Sequence, residues 1–284
     1  MADTLHVGIV GSGIMGAGLA EVAARAGHAV VVRSRTMEGA QAVRDRIAQG
    51  LDRHVAKERM TSDERDAVLD LIEVTDHLGR LAECDLVIES VIEDLAVKKA
   101  LFAELEQIVK PAGILATNTS TLPVVEMAMA TQRPEQVCGI HFFNPAPAMS
   151  LVEIVKPVTA SEATMRFATQ FAEGCGKDPV LVEDRAGFIV NALLFPYLNN
   201  AVRMMEFGTA PKESIDAAMK GGCGFPLGPF ALLDLVGLDT SLSILEALHA
   251  EFGDPNYAPA PTLRRLVTAG RLGRKSGAGF YDYG

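Results

Sequence analysis

The stretch LHVGIVGSGIMGAGLAEVAARAG, residues 5–27, decides the fold of this chain. It begins with an apolar, β-branched run, which is typical of a buried strand. A glycine-rich turn follows, and then a helical pattern that ends at Gly27. Residues 30–32 are a second β-branched run. The order of strand, glycine turn, helix and strand predicts a βαβ unit with two parallel strands.

Strand and helix patterns continue to alternate over the first two thirds of the chain. Further strand candidates are residues 85–90, 113–118, 137–143 and 151–157. The alternation predicts an α/β protein with a Rossmann-type, doubly wound parallel sheet. From residue 187 onward the long apolar patterns are helical, and strand candidates are almost absent. We therefore predict a dinucleotide-binding domain over residues 1–184 and an all-helical C-terminal domain over residues 185–284.

Composition and charge narrow the class of partner. The chain has 284 residues, of which 49% are apolar, and its net charge of −10 repels nucleic acid and anionic membranes. Its four cysteines form no CxxC pair, which predicts free buried thiols and no metal site. Signal-peptide and membrane-spanning patterns are both lacking. We expect a cytoplasmic protein without nucleic-acid or membrane partners.

The glycine turn predicts a dinucleotide site. Gly11, Gly13 and Gly16 give the pattern GxGxxG between a predicted strand and a predicted helix. In that context the glycines allow a tight turn and a close approach of the backbone to a pyrophosphate. We expect Ile14 and Met15, between the last two glycines, to contact the cofactor as well. The alternative interpretation is a glycine turn without a ligand.

The end of the second strand, VVVRSRT at residues 30–36, bears on the choice of cofactor. Sites for NAD usually carry an acidic residue there, which binds the ribose hydroxyls and repels a 2′-phosphate. This chain has Arg33, Ser34 and Arg35 instead. We therefore favour NADP over NAD, with Ser34 and Arg35 at the phosphate. In the alternative, both arginines lie in solvent and NAD binds.

The segment HFFNPAPAMSLVEIV, residues 141–155, carries the candidate chemistry. His141 and Glu153 lie on two adjacent strand candidates that a proline-rich turn connects. A hairpin could bring the imidazole and the carboxylate together, which would make the histidine a general acid and base. On spacing alone, a structural histidine and a solvated glutamate are the favoured interpretation.

Several longer motifs carry a resemblance to a known family. They are NTST, HFFNP, LVE, GFIVN, FPLGPFALLDLVGLD and the closing GRKSGAGFYDY. With them the chain resembles the L-3-hydroxyacyl-CoA dehydrogenase family over essentially its whole length, and most closely the bacterial 3-hydroxybutyryl-CoA dehydrogenases. The resemblance implies interconversion of a short-chain (S)-3-hydroxyacyl-CoA and its 3-oxoacyl-CoA. Two alternatives are a dehydrogenase of a free hydroxy acid of the sugar-acid type and a non-catalytic, crystallin-like relative.

The resemblance also implies roles for individual residues. His141 would exchange the proton of the 3-hydroxyl, and Glu153 would orient His141. Ser120 would bond the substrate oxygen, and Asn191 would hold the substrate carbonyl from the helical domain. Contacts with the dinucleotide are implied for Glu93, Lys98, Asn118, Ser120, Asn144 and Lys275. The helical domain is implied to bind substrate and to form a homodimer.

Because the chain as a whole is negatively charged, binding of the phosphates of an acyl-CoA requires a local group of cations. Between residues 33 and 59 there are seven basic and four acidic residues. We expect this helical region to bind the CoA phosphates, with Arg53 and Lys57 as the principal contacts. The alternative is an ordinary solvated helix face.

Overall fold

The computed structural model describes residues 4–284. These residues form two compact units, of which the first ends at Asp184 and the second is Arg185–Gly284. The first unit contains all eight strands of the sheet, and the second unit is helical. The predicted fold class, a Rossmann-type sheet followed by a helical region, is confirmed.

The first unit is built on one sheet. Its strands are β1 His6–Val10, β2 Ala29–Arg33, β3 Ile72–Thr75, β4 Leu86–Glu89, β5 Ile114–Thr117, β6 Val137–Phe142, β7 Leu151–Lys156 and β8 Asp178–Glu183. They lie in the order β3-β2-β1-β4-β5-β6-β7-β8. All neighbours are parallel except β6 and β7, which are antiparallel. The strand order reverses at β1 and β4, and such a switch point opens a crevice at the carboxyl ends of the strands.

Helices cover this sheet. They are α1 Ile14–Arg25, α2 Met37–Val55, α3 Ser62–Asp70, α4 Leu95–Ile108, α5 Val124–Ala128 and α6 Glu162–Gly174. Most begin at a polar cap: Thr36 caps α2, Thr61 and Glu64 form a capping box on α3, and Asp94 caps α4. Such caps satisfy N–H groups that have no partner inside the helix. Helices α2, α3 and α4 therefore begin where the sequence supplies an acceptor.

Two features of the first unit differ from expectation. The helix of the basic region between residues 33 and 59 ends at Val55, before the region does, and Glu58 has a φ of +54° that no α-helix contains. Two strands, β3 and β8, were not predicted. The β8 strand lies at the edge of the sheet and is mostly exposed, so it lacks the apolar run that reveals a buried strand.

The second unit consists of α7 Val190–Glu206, α8 Lys212–Cys223, α9 Pro229–Val236, α10 Leu238–Phe252 and α11 Pro261–Thr268. Two buried aspartates hold it together. Asp216 accepts the backbone N–H of Phe230 at 2.8 Å at the start of α9. Asp234 accepts the N–H groups of Phe280 and Tyr281, each at 2.8 Å. The closing segment of the chain is thereby fixed to α9.

Two further findings concern the whole described chain. Within residues 4–284 we find no helix with the length and apolar character that crossing a membrane requires. All four cysteines are free thiols. Burial raises the pKa of Cys84 and of Cys138 to about 12. Cys223 is exposed, so the expectation of four buried thiols is wrong at that position.

Candidate active site

The glycine turn lies at the switch point of the sheet. Gly11 has a φ of +136°, and a Cβ on it would stand 2.2 Å from the carbonyl oxygen of Ser90, directly after β4. A Cβ on Gly16 would stand 2.2 Å from the oxygen of Gly11. Side chains at these two positions would therefore separate α1 from the ends of β1 and β4. Only glycine permits this close packing.

The N-terminus of α1 fits the pyrophosphate of a dinucleotide. Gly13 is its N-cap, and a Cβ there would have no neighbour within 4 Å. Within residues 4–284 no side chain caps this end, and its first turn has no acidic residue. Its N–H groups and helix dipole thus favour an anion. Ile14 is 65% exposed beside it, whereas Met15 is half-buried against the core.

At the end of β2 the two arginines differ. The Arg33 side chain donates to the carbonyl of Asp76 at 3.4 Å. Arg35 is exposed and directly precedes Thr36, the N-cap of α2. Ser34 is buried, and its hydroxyl lies over the first turn of α2, 2.5 Å from where a Cβ on Gly39 would stand. Of the two expected cations, Arg35 is thus the one that is exposed at this helix N-terminus.

A cluster of polar side chains lies where β4 and β5 end, and we call it the buried network because all its members except Glu93 are buried. Its members are Glu89, Glu93, Lys98, Thr117 and Thr119. Glu89 is the last residue of β4 and is 0% exposed, and its Oε1 receives the Lys98 ammonium at 2.6 Å. Lys98 is 1% exposed and also lies 3.2 Å from Glu93. Two residues expected to contact a cofactor are therefore bound to other side chains.

The buried network leads to the turn of residues 118–120. Glu93 Oε1 accepts the backbone N–H of Ser120 at 3.1 Å and the hydroxyl of Thr119. The Asn118 side chain accepts the N–H of Phe142 at 2.8 Å, next to His141 on β6. The structure thus joins the expected site residues 93, 98, 118 and 120 on one edge of the sheet.

His141 and Glu153 lie directly opposite each other on the antiparallel pair β6 and β7. The imidazole Nδ1 and the carboxylate Oε2 are 2.8 Å apart. His141 is 5% exposed and Glu153 is 1% exposed. In the tautomer with its proton on Nδ1, the imidazole donates this hydrogen bond to the carboxylate, and Nε2 carries the lone pair. This arrangement matches the one that a histidine needs to act as a general acid and base.

A second cleft, which we call the basic cleft, lies between α1, α2 and the loop after β6. Its volume is about 430 Å³. Arg46, Arg53, Lys57 and Arg59 supply cations to its lining, and Glu21 supplies the one carboxylate. Asn144, Ala146 and Ala148 form part of its opposite wall. Among the described residues none forms a salt bridge with these four cations, so the cleft can bind a phosphorylated ligand.

Two expected site residues belong to the helical unit. Asn191 is the second residue of α7 and is buried. Lys275, expected to contact the dinucleotide, lies 2.6 Å from the Asp239 carboxylate. Both positions are compatible with a polar role, and their parts in ligand binding stay predictions.

The glycine turn at the switch point and the anion-accepting helix N-terminus define a dinucleotide-binding protein of the Rossmann class. Two family models match the chain: "3-hydroxyacyl-CoA dehydrogenase, NAD binding domain" over residues 6–185 and "3-hydroxyacyl-CoA dehydrogenase, C-terminal domain" over residues 187–283. The chain therefore belongs to the 3-hydroxyacyl-CoA dehydrogenase family, as its motifs indicated.

Individual relatives agree with the family models. The chain is 47% identical to a 3-hydroxybutyryl-CoA dehydrogenase of Mycobacterium tuberculosis, with 100% of both chains covered. It is 45% identical to a probable 3-hydroxybutyryl-CoA dehydrogenase of Deinococcus radiodurans, covering 98% of this chain and 100% of the relative. A crystal structure of (S)-3-hydroxybutyryl-CoA dehydrogenase from Ralstonia eutropha superimposes with a TM-score of 0.96 at 38% identity, covering 99% and 100% of the two chains.

Sequence reasoning missed some residues of these sites. Glu89 lies within the strand candidate of residues 85–90 and was given no role, although a carboxylate in an apolar run signals a buried polar partner. Arg46 and Arg59 were counted in the basic segment but not assigned to the ligand. The spacing of Arg46, Arg53 and Lys57, at i, i+7 and i+11, places them on one face of a helical pattern and could have grouped them.

Proposed function

We propose that the protein interconverts a short-chain (S)-3-hydroxyacyl-CoA and the corresponding 3-oxoacyl-CoA with a nicotinamide dinucleotide. The observation that carries this proposal is the 2.8 Å pairing of His141 with Glu153 on adjacent strands, in a chain of the 3-hydroxyacyl-CoA dehydrogenase family. The names of the full-length relatives favour the same reaction over the sugar-acid and crystallin-like alternatives.

Each of these residues has its own role in the proposed reaction. In the oxidation, His141 Nε2 takes the proton of the 3-hydroxyl as C3 loses a hydride and the C–O bond becomes a carbonyl. A nicotinamide dinucleotide bound at the glycine turn of Gly11, Gly13 and Gly16 would supply the acceptor for that hydride. Glu153 keeps the second nitrogen protonated and stabilises the imidazolium. Ser120 donates a hydrogen bond to the substrate oxygen on C3, which gains negative charge in the reduction. Asn191 holds the carbonyl region of the substrate.

A reductase assay tests the function. Purified protein is mixed with NADPH or NADH and acetoacetyl-CoA, and loss of absorbance at the reduced nicotinamide band is followed. We expect turnover with acetoacetyl-CoA and none with free acetoacetate or a 3-oxo sugar acid. Turnover of the free acids alone would replace the CoA substrate, and no turnover of any substrate would remove the enzymatic function.

We also propose that the cofactor is NADP rather than NAD. Arg35 is exposed beside the N-terminus of α2, and position 34 carries no carboxylate that would repel a 2′-phosphate. A guanidinium and a helix N-terminus together form a site that suits a phosphate. Glu38 in the first turn of α2 is a weaker opposing charge, because it is exposed to water.

The basic cleft is proposed to hold the phosphates of CoA. Its four cations stand out in a chain with a net charge of −10. The cleft is lined by Arg53 and Lys57, which we expected to contact the CoA phosphates, and by Asn144. An unpaired cation attracts a phosphate without first having to break an ion pair, which favours binding by this cleft.

The helical unit is proposed to form a homodimer. Leu193, Met204 and Phe207 are exposed and recur at i, i+11 and i+14 on or just after α7, which places them on one face. Phe207 is 83% exposed. Exposed apolar faces of this kind are typical of contacts between subunits.

Sedimentation equilibrium tests the dimer. We expect the wild type to sediment as a dimer and the variant Leu193→Asp/Phe207→Asp as a folded monomer. Leu181→Asp, at an exposed apolar position on β8 in the first unit, is the matched control and should stay dimeric. A monomeric wild type would overturn the proposal.

A further inference from the structure

The segment between β6 and β7, residues 143–150, has a part in the proposed site that its sequence does not show, and we call it the proline turn. Residues 144–148 of the proline turn line the basic cleft. His141 precedes the turn on β6, and Glu153 follows it on β7. The turn thus connects the wall of the cleft to the general acid and base. A ligand with phosphates in the cleft and a reacting carbon at His141 would therefore lie along it.

Lys177 holds the backbone of the proline turn. Its Nζ donates to the carbonyl oxygens of Ala146 at 2.7 Å and Met149 at 2.8 Å. The carbonyl oxygen of Pro147 lies 3.5 Å from the same nitrogen. An ammonium has three donor hydrogens, which matches these three acceptors. Because all of them belong to one short segment, the bonds fix the path of the chain itself.

The position of Lys177 is fixed in turn by the end of α6. Gly176 has a φ of +69°, and the Lys177 N–H donates to the carbonyl of Ala172 at 3.0 Å, which is the pattern of a glycine-capped helix end. The next residue, Asp178, donates its N–H to the carbonyl of Ser150 at 2.8 Å. Burial lowers the pKa of Lys177, so its ammonium is partly removed from water, where hydrogen bonds are stronger.

A second contact limits the proline turn on the side of α1. A Cβ on Gly18 would stand 3.0 Å from the Cβ of Ala146 and 3.4 Å from the Cδ of Pro147. The glycine thus allows the turn to pack closely on the backbone of α1. The turn is packed on one side and hydrogen-bonded to Lys177 on another, so this wall of the basic cleft is formed before a ligand binds.

We infer that Lys177 is a positioning residue for the acyl-CoA substrate: it holds the proline turn, and the turn receives the pantetheine arm between the basic cleft and His141. A wall that is already ordered lowers the entropic cost of binding. Lys177 therefore acts on the uncharged arm of the substrate, whereas Arg53 and Lys57 act on its phosphates. This inference rests on the proposed function and on the proposed place of the CoA phosphates.

The test removes the ammonium and keeps an unbranched side chain. The variant is Lys177→Met. The matched control is Lys156→Met, which removes an ammonium of β7 whose partner, at 2.6 Å, is the Glu162 carboxylate. Both substitutions change the net charge by the same amount, so a general effect of charge on binding would appear in both.

Kinetics with two substrates separate the arm from the phosphates. Acetoacetyl-CoA carries both parts, and acetoacetyl-pantetheine carries the arm alone. In Lys177→Met we expect KM to rise about tenfold for both substrates and by the same factor at low and high salt, the size of about one charge-assisted hydrogen bond. The kcat should stay within about threefold, because His141 and Glu153 keep their places on β6 and β7. Lys156→Met should behave as the wild type.

Hydrogen exchange measures the order of the proline turn without any substrate. The N–H groups of Ala148 and Met149 donate to the carbonyl of Pro145 at 3.0 and 3.1 Å. These amides should exchange about tenfold faster in Lys177→Met than in wild type, because the turn opens more often. Their exchange in Lys156→Met should equal that of wild type.

Three results would overturn the inference. An unchanged KM for both substrates would make Lys177 structural only. A rise in KM that is confined to acetoacetyl-CoA and weakens with salt would make Lys177 a direct ligand of the phosphates. A raised KM with unchanged exchange of the turn would place the action of Lys177 elsewhere. A wild type that reduces neither substrate would instead remove the proposed function, and the exchange rates would still show whether Lys177 holds the turn.

A second variant keeps the inference testable where the first does not fold. Lys177→Gln leaves an uncharged amide with two donor hydrogens, which replaces at most two of the three bonds. The position is half-buried, so folding should tolerate this polar side chain. We expect KM for both substrates to rise about threefold and the amides of the turn to exchange faster. Wild-type values for both KM and exchange would contradict the inference.

Discussion

The buried network and the basic cleft use charge in opposite ways. In the network, Glu89 and Lys98 are 0% and 1% exposed and are bound to each other and to neighbouring groups. In the cleft, Arg53 and Lys57 are exposed and form no salt bridge within residues 4–284. Paired buried charges fix geometry, and unpaired exposed cations attract a diffusing anion.

This difference predicts two kinds of kinetic effect for substitutions in the two regions. Changes among the buried polar groups, which include His141 and Glu153, should lower kcat and respond little to salt. Changes among the exposed cations should raise KM for one ligand and depend on ionic strength, because salt screens charges in water far more than buried ones.

The largest effect is expected for Glu153→Gln. Loss of the carboxylate removes the group that sets the tautomer of His141, and kcat should fall about 10²- to 10⁴-fold with little change in salt dependence. Steady-state kinetics at two ionic strengths check this. Glu162→Gln, which breaks the exposed pair with Lys156, is the control and should leave kcat unchanged. A small effect of Glu153→Gln would place the buried pair outside the chemistry.

The next effect concerns Arg35. Arg35→Ala should raise KM for NADPH about tenfold to hundredfold and leave KM for NADH nearly unchanged, since only NADPH carries the 2′-phosphate. Arg33→Ala is the control, because that side chain donates to the Asp76 carbonyl. Ser34→Asp should shift the preference towards NADH. Equal use of both cofactors by the wild type would remove the assignment of NADP.

A smaller effect is expected for Lys57→Ala in the basic cleft. KM for acetoacetyl-CoA should rise roughly threefold to tenfold, and its salt dependence should weaken. KM for acetoacetyl-pantetheine, which lacks the nucleotide phosphates, should not change. Arg65→Ala is the control, because its guanidinium is paired with Asp52 and Asp66. An unchanged KM for the CoA substrate would make the cleft ordinary surface.

The smallest effect concerns a buried group outside both regions. His28 is 4% exposed, its Nδ1 accepts the Leu5 N–H at 3.3 Å, and its Nε2 has no hydrogen-bond partner in the described chain. Burial lowers the pKa of His28, so the unfolded chain binds this proton first as the pH falls. The free energy of unfolding should therefore decrease below about pH 6.5, by at most about 1.4 kcal/mol per pH unit.

Urea unfolding at several pH values measures this loss. His28→Gln cannot take up a proton, so the slope of its unfolding free energy between pH 5 and pH 7 should be smaller than that of wild type. Its stability at pH 8 is a separate quantity, because the replacement also removes the ring contact with Phe171. Identical slopes in both proteins would show that His28 does not contribute to acid sensitivity.

The sequence predicted the fold where local pattern and global topology agree. The glycine turn after β1 can be read from its spacing, because only glycine fits a backbone that packs on Ser90. The strand β3 is four residues long with an exposed Glu73, and β8 begins with Asp178 and Pro179. Neither strand shows a buried run or a clean alternation, so hydrophobic periodicity does not reveal either of them.

The candidate site was only partly readable for a similar reason. His141 and Glu153 were assigned to neighbouring strands, but the register that sets them opposite each other depends on a turn whose geometry the sequence does not give. The role of Lys98 was inferred from resemblance, which gives no burial. Its burial follows from the packing of α4 against β4 and β5, a tertiary contact.

The most direct test of the proposed reaction is the turnover of His141→Gln with acetoacetyl-CoA, measured together with the Kd of NADPH. The proposal requires kcat to fall about 10²- to 10⁴-fold while NADPH binds as in wild type. A variant that binds NADPH normally and turns over at the wild-type rate would contradict it.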